Sequence, residues 1–146
     1  MRIIRSLIAP AAALAVASGI AVLPALASAP PASAAVSCTG TSLVTGNAGD
    51  LIRVPTVGNG TGNDNCQLGL GNDSVAAARL QIALDSPCNF SAGLAVDNDY
   101  GPLTEAAVAH AQSEYGITVD GIYGPQTRNA LWWPVAGLGP NVCEQI

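Results

Sequence analysis

Asp97, Asp99 and Asp120 are the carboxylates available for acid–base chemistry. Paired carboxylates, one protonated and one ionised, are the machinery of glycoside hydrolysis. Other titratable resources are few. His110 is the sole histidine, with Glu114 four residues on and hence on the same helical face. Two such groups do not complete a metal site. One histidine also leaves no credible Ser-His-Asp set. Asp97-Asn98-Asp99 opens like a calcium loop, but Pro102 stands where that loop needs glycine and Val108 where it needs glutamate. Cys38, Cys66, Cys88 and Cys143 are too far apart for zinc-type spacing. An even set suits two disulfides in a small exported chain, and bonded sulfurs cannot act as nucleophiles. These residues imply no catalytic site, no metal and no cofactor.

The aspartates belong instead to a repeated word. DNDYGPLT begins at Asp97 and DGIYGPQT at Asp120, each running into a helix-forming stretch. Asn98 and Gly121 occupy the place that must turn tightly, and both types tolerate left-handed backbone. Gly101 and Gly124 are then N-caps, and Pro102 and Pro125 first helical residues, where a missing N–H has no partner to lose. Glu105 meets the positive end of its helix. The word therefore predicts one helix from Pro102 to Tyr115, closed by Gly116, and another from Pro125 through QTRNALWW to Pro134. Tyr100 and Tyr123 face inward or across the turn, and Thr104 and Thr127 offer hydroxyls to the loop or preceding backbone. A third helix is expected upstream over VAAARLQIAL, capped from Asn72-Asp73-Ser74, with Ala77, Leu80 and Leu84 on one face and Asp85-Ser86-Pro87 as its stop.

The flanks differ. Arg2 and Arg5 precede an apolar run from Leu7 to Leu23, followed by small residues up to Ala34, the layout of a secretory signal peptide. Residues 1–34 are expected to be removed, which places the remainder outside the cell and leaves no membrane segment. Within residues 35–67, SLVTGNAGDLIRVP predicts a β-hairpin, and VGNGTGNDN a loop. Residues 35–146 carry three arginines, no lysine and ten carboxylates, a net charge of −7. That balance excludes nucleic acid and anionic lipid surfaces as partners. Four cysteines allow three pairings. Cys38–Cys66 with Cys88–Cys143 is preferred, because each bond would clip a loop-rich flank.

From Leu68 to Trp133 the chain resembles the peptidoglycan-binding domain family. The resemblance rests on VDNDYGPLTEAAVAHAQSEYGITVDGIYGPQTRNAL and on Leu80-Gln81 and Leu84 of the first helix. It implies a mainly α, small three-helix domain over residues 68–146, here with a disulfide-linked N-terminal hairpin. The family is non-catalytic and tethers proteins to cell walls. The chain departs from its pattern at Asn98 for glycine, Ala111 for an aromatic and Arg128 for tryptophan. Alanine-rich, lysine-free composition resembles high-GC actinobacterial exports. A glycan-binding surface needs aromatic faces for sugar rings and amides or carboxylates for hydroxyls. Tyr100, Tyr123, Trp132 and Trp133 are the candidate aromatic platforms; Asn98, Asp99, Gln126 and Asn129 are the candidate polar contacts, gathered near the two corners. The expected partner is peptidoglycan or another cell-wall glycan. The alternatives are a secreted protein that the chain inhibits or escorts, and a small cell-wall hydrolase.

Overall fold

Every helix starts where its capping chemistry puts it. The computed structural model describes residues 35–146, so the expected signal peptide, residues 1–34, lies outside the described residues. Helix α1 spans Val75–Leu84, and the Ser74 hydroxyl accepts the Ala77 N–H at 3.3 Å as its cap. Asn72, offered by the sequence for the same task, instead takes the Gly69 N–H at 2.8 Å. Helices α2, Pro102–Glu114, and α3, Pro125–Ala130, both begin with proline behind an extended glycine. Helix α2 stops in a Schellman turn: Gly116 has φ 65°, its N–H bonds Ser113 O at 3.2 Å, and the Ile117 N–H bonds Gln112 O at 3.0 Å.

Helix α3 is shorter than the sequence predicts. It ends at Ala130, and Leu131 is already extended at ψ 150°. Two constraints combine. Pro134 has a ring that would meet the carbonyl of Ala130 in a continued helix, and it disfavours helical backbone at Trp133. The backbone of Trp132 is also claimed from outside. Its N–H donates to Asn89 Oδ1 at 3.1 Å, and its carbonyl accepts Asn89 Nδ2 at 2.8 Å.

The hairpin pairs β1, Gly40–Thr45, with β2, Leu51–Thr56, in antiparallel register from Gly40↔Thr56 to Thr45↔Leu51. Ile52 and Val54 point from β2 into the core against α1, and a Ser42–Thr56 hydroxyl pair at 3.0 Å closes the polar part of that face. A C-terminal pair, β3 (Trp133–Pro134) with β4 (Cys143–Glu144), joins β2 through an Ile52↔Val135 bridge. Among the described residues helix makes up 26% and strand, isolated bridges included, 21%, so the helices are surrounded by nearly as much extended chain. Both flanks share one core with the helices, built on Trp133, Tyr100, Tyr123, Ile52, Leu80 and Leu84. No helix among the described residues is long and apolar enough to cross a membrane.

The disulfides join Cys38 to Cys66 and Cys88 to Cys143, with Cα–Cα distances of 5.1 and 6.2 Å. The first closes the hairpin flank and the second ties the loop after α1 to β4. Cross-linking two points 55 residues apart restricts the unfolded chain strongly. Replacing Cys88 and Cys143 together by serine should therefore lower unfolding free energy by about 4 kcal/mol. Urea denaturation would register this as a lower midpoint, with a larger m-value because the freed unfolded chain exposes more surface.

Candidate functional site

The two repeated words fold into two corners built on one plan, and each has a glutamine at its centre. Gln81, buried on α1, places Nε2 within 2.7 Å of Asp97 Oδ1, 2.9 Å of the Asp99 carbonyl and 3.1 Å of Thr104 Oγ1. Its Oε1 accepts the Asp97 N–H at 3.1 Å. Gln112, buried on α2, does the same for the second corner. Its Nε2 faces Asp120 Oδ1 at 2.8 Å, the Ile122 carbonyl at 2.9 Å and Thr127 Oγ1 at 3.0 Å. Its Oε1 accepts the N–H groups of Asp120 and Gly121 at 3.0 and 2.9 Å. The aspartates fold back on the turn: Asp97 Oδ1 takes the Asp99 N–H at 3.0 Å, and Asp120 Oδ1 the Ile122 N–H at 2.9 Å.

Asn98 at φ 70° and Gly121 at φ 68° occupy the left-handed region, as the sequence predicts. Asn98 is exposed, so its side chain finds room. Gly121 is buried, and a Cβ there would lie 2.9 Å from Glu105 Cγ, which limits the second corner to glycine. The corners touch directly, for the Tyr100 hydroxyl donates to the Gly121 carbonyl at 2.7 Å. Residues 68–73 run past both, through the bridges Leu68↔Tyr123 and Asp73↔Asp99.

These contacts divide the predicted site residues. Tyr100, Tyr123 and Trp133 are fully buried and offer no face to a sugar ring, a correction to their expected role as platforms. Burial pushes both tyrosine hydroxyls to higher pKa. Tyr123 and Trp133 pack edge-to-face at 6.2 Å, and the Trp133 indole N–H donates to Arg128 O at 2.9 Å. Trp132 remains 39% exposed, because consecutive residues of an extended segment face opposite ways. Asn98, Asp99, Gln126 and Asn129 are all exposed. Gln126 and Asn129 are neighbours on α3, one turn apart. A depression of about 150 Å³ at the first corner includes Asp97, Asp99 and Leu103, and none of Gln126, Asn129 or Trp132 lines it. That depression therefore does not extend to the α3 residues expected to share one groove with the first corner. Asp97 and Asp120, the carboxylates nearest to hydrolase chemistry, are engaged by the glutamines.

Sequence reasoning overlooked the glutamines as organising groups. The signal available was a polar residue on the inward face of an alanine-rich helix, once in each of α1 and α2. It also overlooked Asn89. That side chain accepts the Tyr115 hydroxyl at 2.7 Å and donates to the Ala83 carbonyl at 2.6 Å, besides holding Trp132. Arg128, a departure from the family pattern, pairs with Asp64 at 2.8 Å and donates to the Asp64 carbonyl at 3.0 Å, fastening α3 to the loop after the hairpin. Among the described residues no three His, Cys, Asp or Glu side chains form a group that could hold a metal ion.

Removing Gln112 strands several buried partners at once. Gln112→Ala should cost on the order of 3 kcal/mol in thermal or urea unfolding, more than an exposed control such as Gln126→Ala. A second expectation concerns acid. The Gln81 amide foremost, and then the Asp99 N–H, hold the exposed Asp97 carboxyl below its ordinary 3.8. The unfolded chain therefore takes up this proton at higher pH than the folded one. The resulting stability is complete above 3.8 and is lost as pH falls below it. Melting temperatures between about pH 5 and pH 2 should fall less steeply in Asp97→Asn than in the parent.

Residues 76–131 match the family model described as "Putative peptidoglycan binding domain". No curated protein matches the chain significantly. The matched stretch holds both glutamines, both corners and all of α2 and α3. Residues 76–131 thus match the peptidoglycan-binding domain family, and the doubled corner lies wholly within the match.

Proposed function

We propose that the chain is an exported, non-catalytic protein that binds cell-wall peptidoglycan. Residues 1–34 act as its export signal, residues 35–67 as an extension, and residues 68–146 as the binding domain with its tail. The family match carries the reading. Two disulfides support it, since such bonds persist in oxidising surroundings outside the cytoplasm. The binding surface consists of Asn98 and Asp99 beside the first corner and of Gln126, Asn129 and Trp132 on and after α3. Trp132 supplies the aromatic face, and the amides and Asp99 meet sugar hydroxyls. The buried tyrosines and Trp133 serve by holding these patches in place.

A protein partner is the second reading. It draws on an apolar trough of about 330 Å³ along α2, where Leu103 stands 78% exposed beside Leu94 and Phe90. Such a surface suits a side chain from an inhibited or escorted protein.

Sedimentation with purified insoluble peptidoglycan separates the readings. The parent protein should leave the supernatant, and Trp132→Ala should lower the bound fraction at least about threefold without changing the melting temperature. Full recovery in the supernatant across salt and pH would reject wall binding in favour of the protein partner. Release of soluble sugars or peptides from the pellet would reject the non-catalytic role.

A further inference from the structure

Strand β1 has an outer edge that is only partly covered. Gly46 donates its N–H to the Asp50 carbonyl at 2.9 Å, and the register continues from Thr45↔Leu51 to Gly40↔Thr56. Hydrogen-bonded and non-bonded pairs alternate along such a ladder. The backbone groups of Ser42 and Val44 therefore face β2, while those of Thr41, Leu43 and Thr45 turn outward. Thr41 is covered: its N–H donates to Asn59 Oδ1 at 3.0 Å, and its carbonyl accepts the Gly60 N–H at 3.0 Å. The N–H and carbonyl groups of Leu43 and Thr45 have no partner among the described residues. The outer edge of β2 differs, for the Leu51 carbonyl accepts the Ala136 N–H at 2.8 Å. Exposed edges are ordinarily guarded by charge, proline or a bulge. The β1 sequence GTSLVT carries neither charge nor proline, and its register is unbroken.

A polar depression of about 530 Å³ meets this edge where Thr41 closes it. Ser42, Leu43, Arg53 and the loop 59–62 line it, and Arg53 is its one charged residue. Arg53 is exposed and has no carboxylate partner among the described residues. Its Nη1 reaches from β2 to Thr41 Oγ1 at 3.3 Å, so the guanidinium stands at the closed end of the edge. We propose that β1 binds the extended C-terminal tail of a partner protein, which adds as an antiparallel strand and ends with its carboxylate in this depression. Asn59 and Gly60 occupy the backbone of Thr41, so an added strand must stop there, and the cation stands at that stop. A chain end that carries negative charge is a C-terminus. The tail residues opposite Leu43 and Thr45 exchange backbone hydrogen bonds with them, and the last residue lies opposite Ser42. Its carboxylate meets Arg53 through charge-assisted hydrogen bonds. Leu43, 43% exposed, gives the side chain opposite it an apolar neighbour. A second copy pairing edge to edge is the poorer occupant, because it brings two chains of charge −7 together. The edge lies outside the segment that matches the family, and its occupation does not depend on wall binding.

The test is amide hydrogen exchange followed by NMR, with the peptide acetyl-SGTSVA, free at its carboxylate, as the probe. Saturating peptide should slow exchange at Leu43 and Thr45 at least about tenfold. Val44, whose N–H already faces β2, is the internal reference. Amidating the peptide carboxylate should weaken binding at least about tenfold. Methylating the backbone nitrogen of its valine, the residue placed opposite Leu43, should abolish binding. Arg53→Gln should bring the free acid down to the affinity of the amide while the melting temperature stays unchanged. Unslowed exchange at Leu43 and Thr45, equal binding of acid and amide, undiminished binding of the methylated peptide, or full affinity in Arg53→Gln overturns the proposal. Protection of the same two amides that grows with protein concentration in the absence of peptide assigns the edge to a second copy and overturns it as well.

Discussion

A primary amide buried beneath each corner is the contact on which this small structure turns. A glutamine side chain offers two donors and one acceptor oxygen, and Gln81 and Gln112 spend all of them on backbone and side chains that would otherwise be desolvated without partners. The glutamine sits on the helix before the corner it organises. Corner one therefore presupposes α1, and corner two presupposes α2. The Tyr100 hydroxyl then links the second turn to the first. Order passes along the chain from α1 to α3, with polar contacts in the role that a larger protein gives to a thick apolar core.

The segments outside the repeat complete this arrangement and alter its surface. Helices α1 and α2 bury Ala76, Ala77, Ala83, Ala107 and Ala111 among few larger apolar side chains, which limits how much apolar area they contribute. The hairpin supplies Ile52 and Val54, and the C-terminal pair supplies Trp133. Arg128 and Asp64 fix the connecting loop to α3, and the Ser74 hydroxyl donates to the Cys38 carbonyl at 3.3 Å. The same additions create the open edge of β1 beside Arg53, which the repeat alone would not possess.

Local chemistry was legible in the sequence; distant chemistry was not. Proline at Pro102 and Pro125, serine at Ser74 and glycine at Gly116 mark helix ends through forces that act within one turn, and each end lies where it was expected. The hairpin follows from two β-branched runs and a polar link. The three-helix centre, too, is present as expected, although the strand content around it tempers a mainly α description. Tyr100 and Tyr123 were harder to place, because an aromatic beside a turn is equally at home on a surface or in a core. The partner that decides for Tyr100 lies 21 residues away. Trp132 and Trp133 looked helical until Asn89, 43 residues upstream, took the backbone of the first. The organising role of the glutamines escaped notice because their distances to the aspartates differ, 16 residues in one corner and 8 in the other, so the period of the repeated word does not include them.

The Cys88–Cys143 bond makes a covalent ring that contains both corners and the last two helices. A protease that severs one exposed peptide bond within that ring opens it without releasing a fragment. The two cut ends stay tethered and can be held by the surviving contacts. A molecule exposed to hydrolytic enzymes would thus keep its paired patches together after a first nick, and would come apart only on a second cut or on reduction.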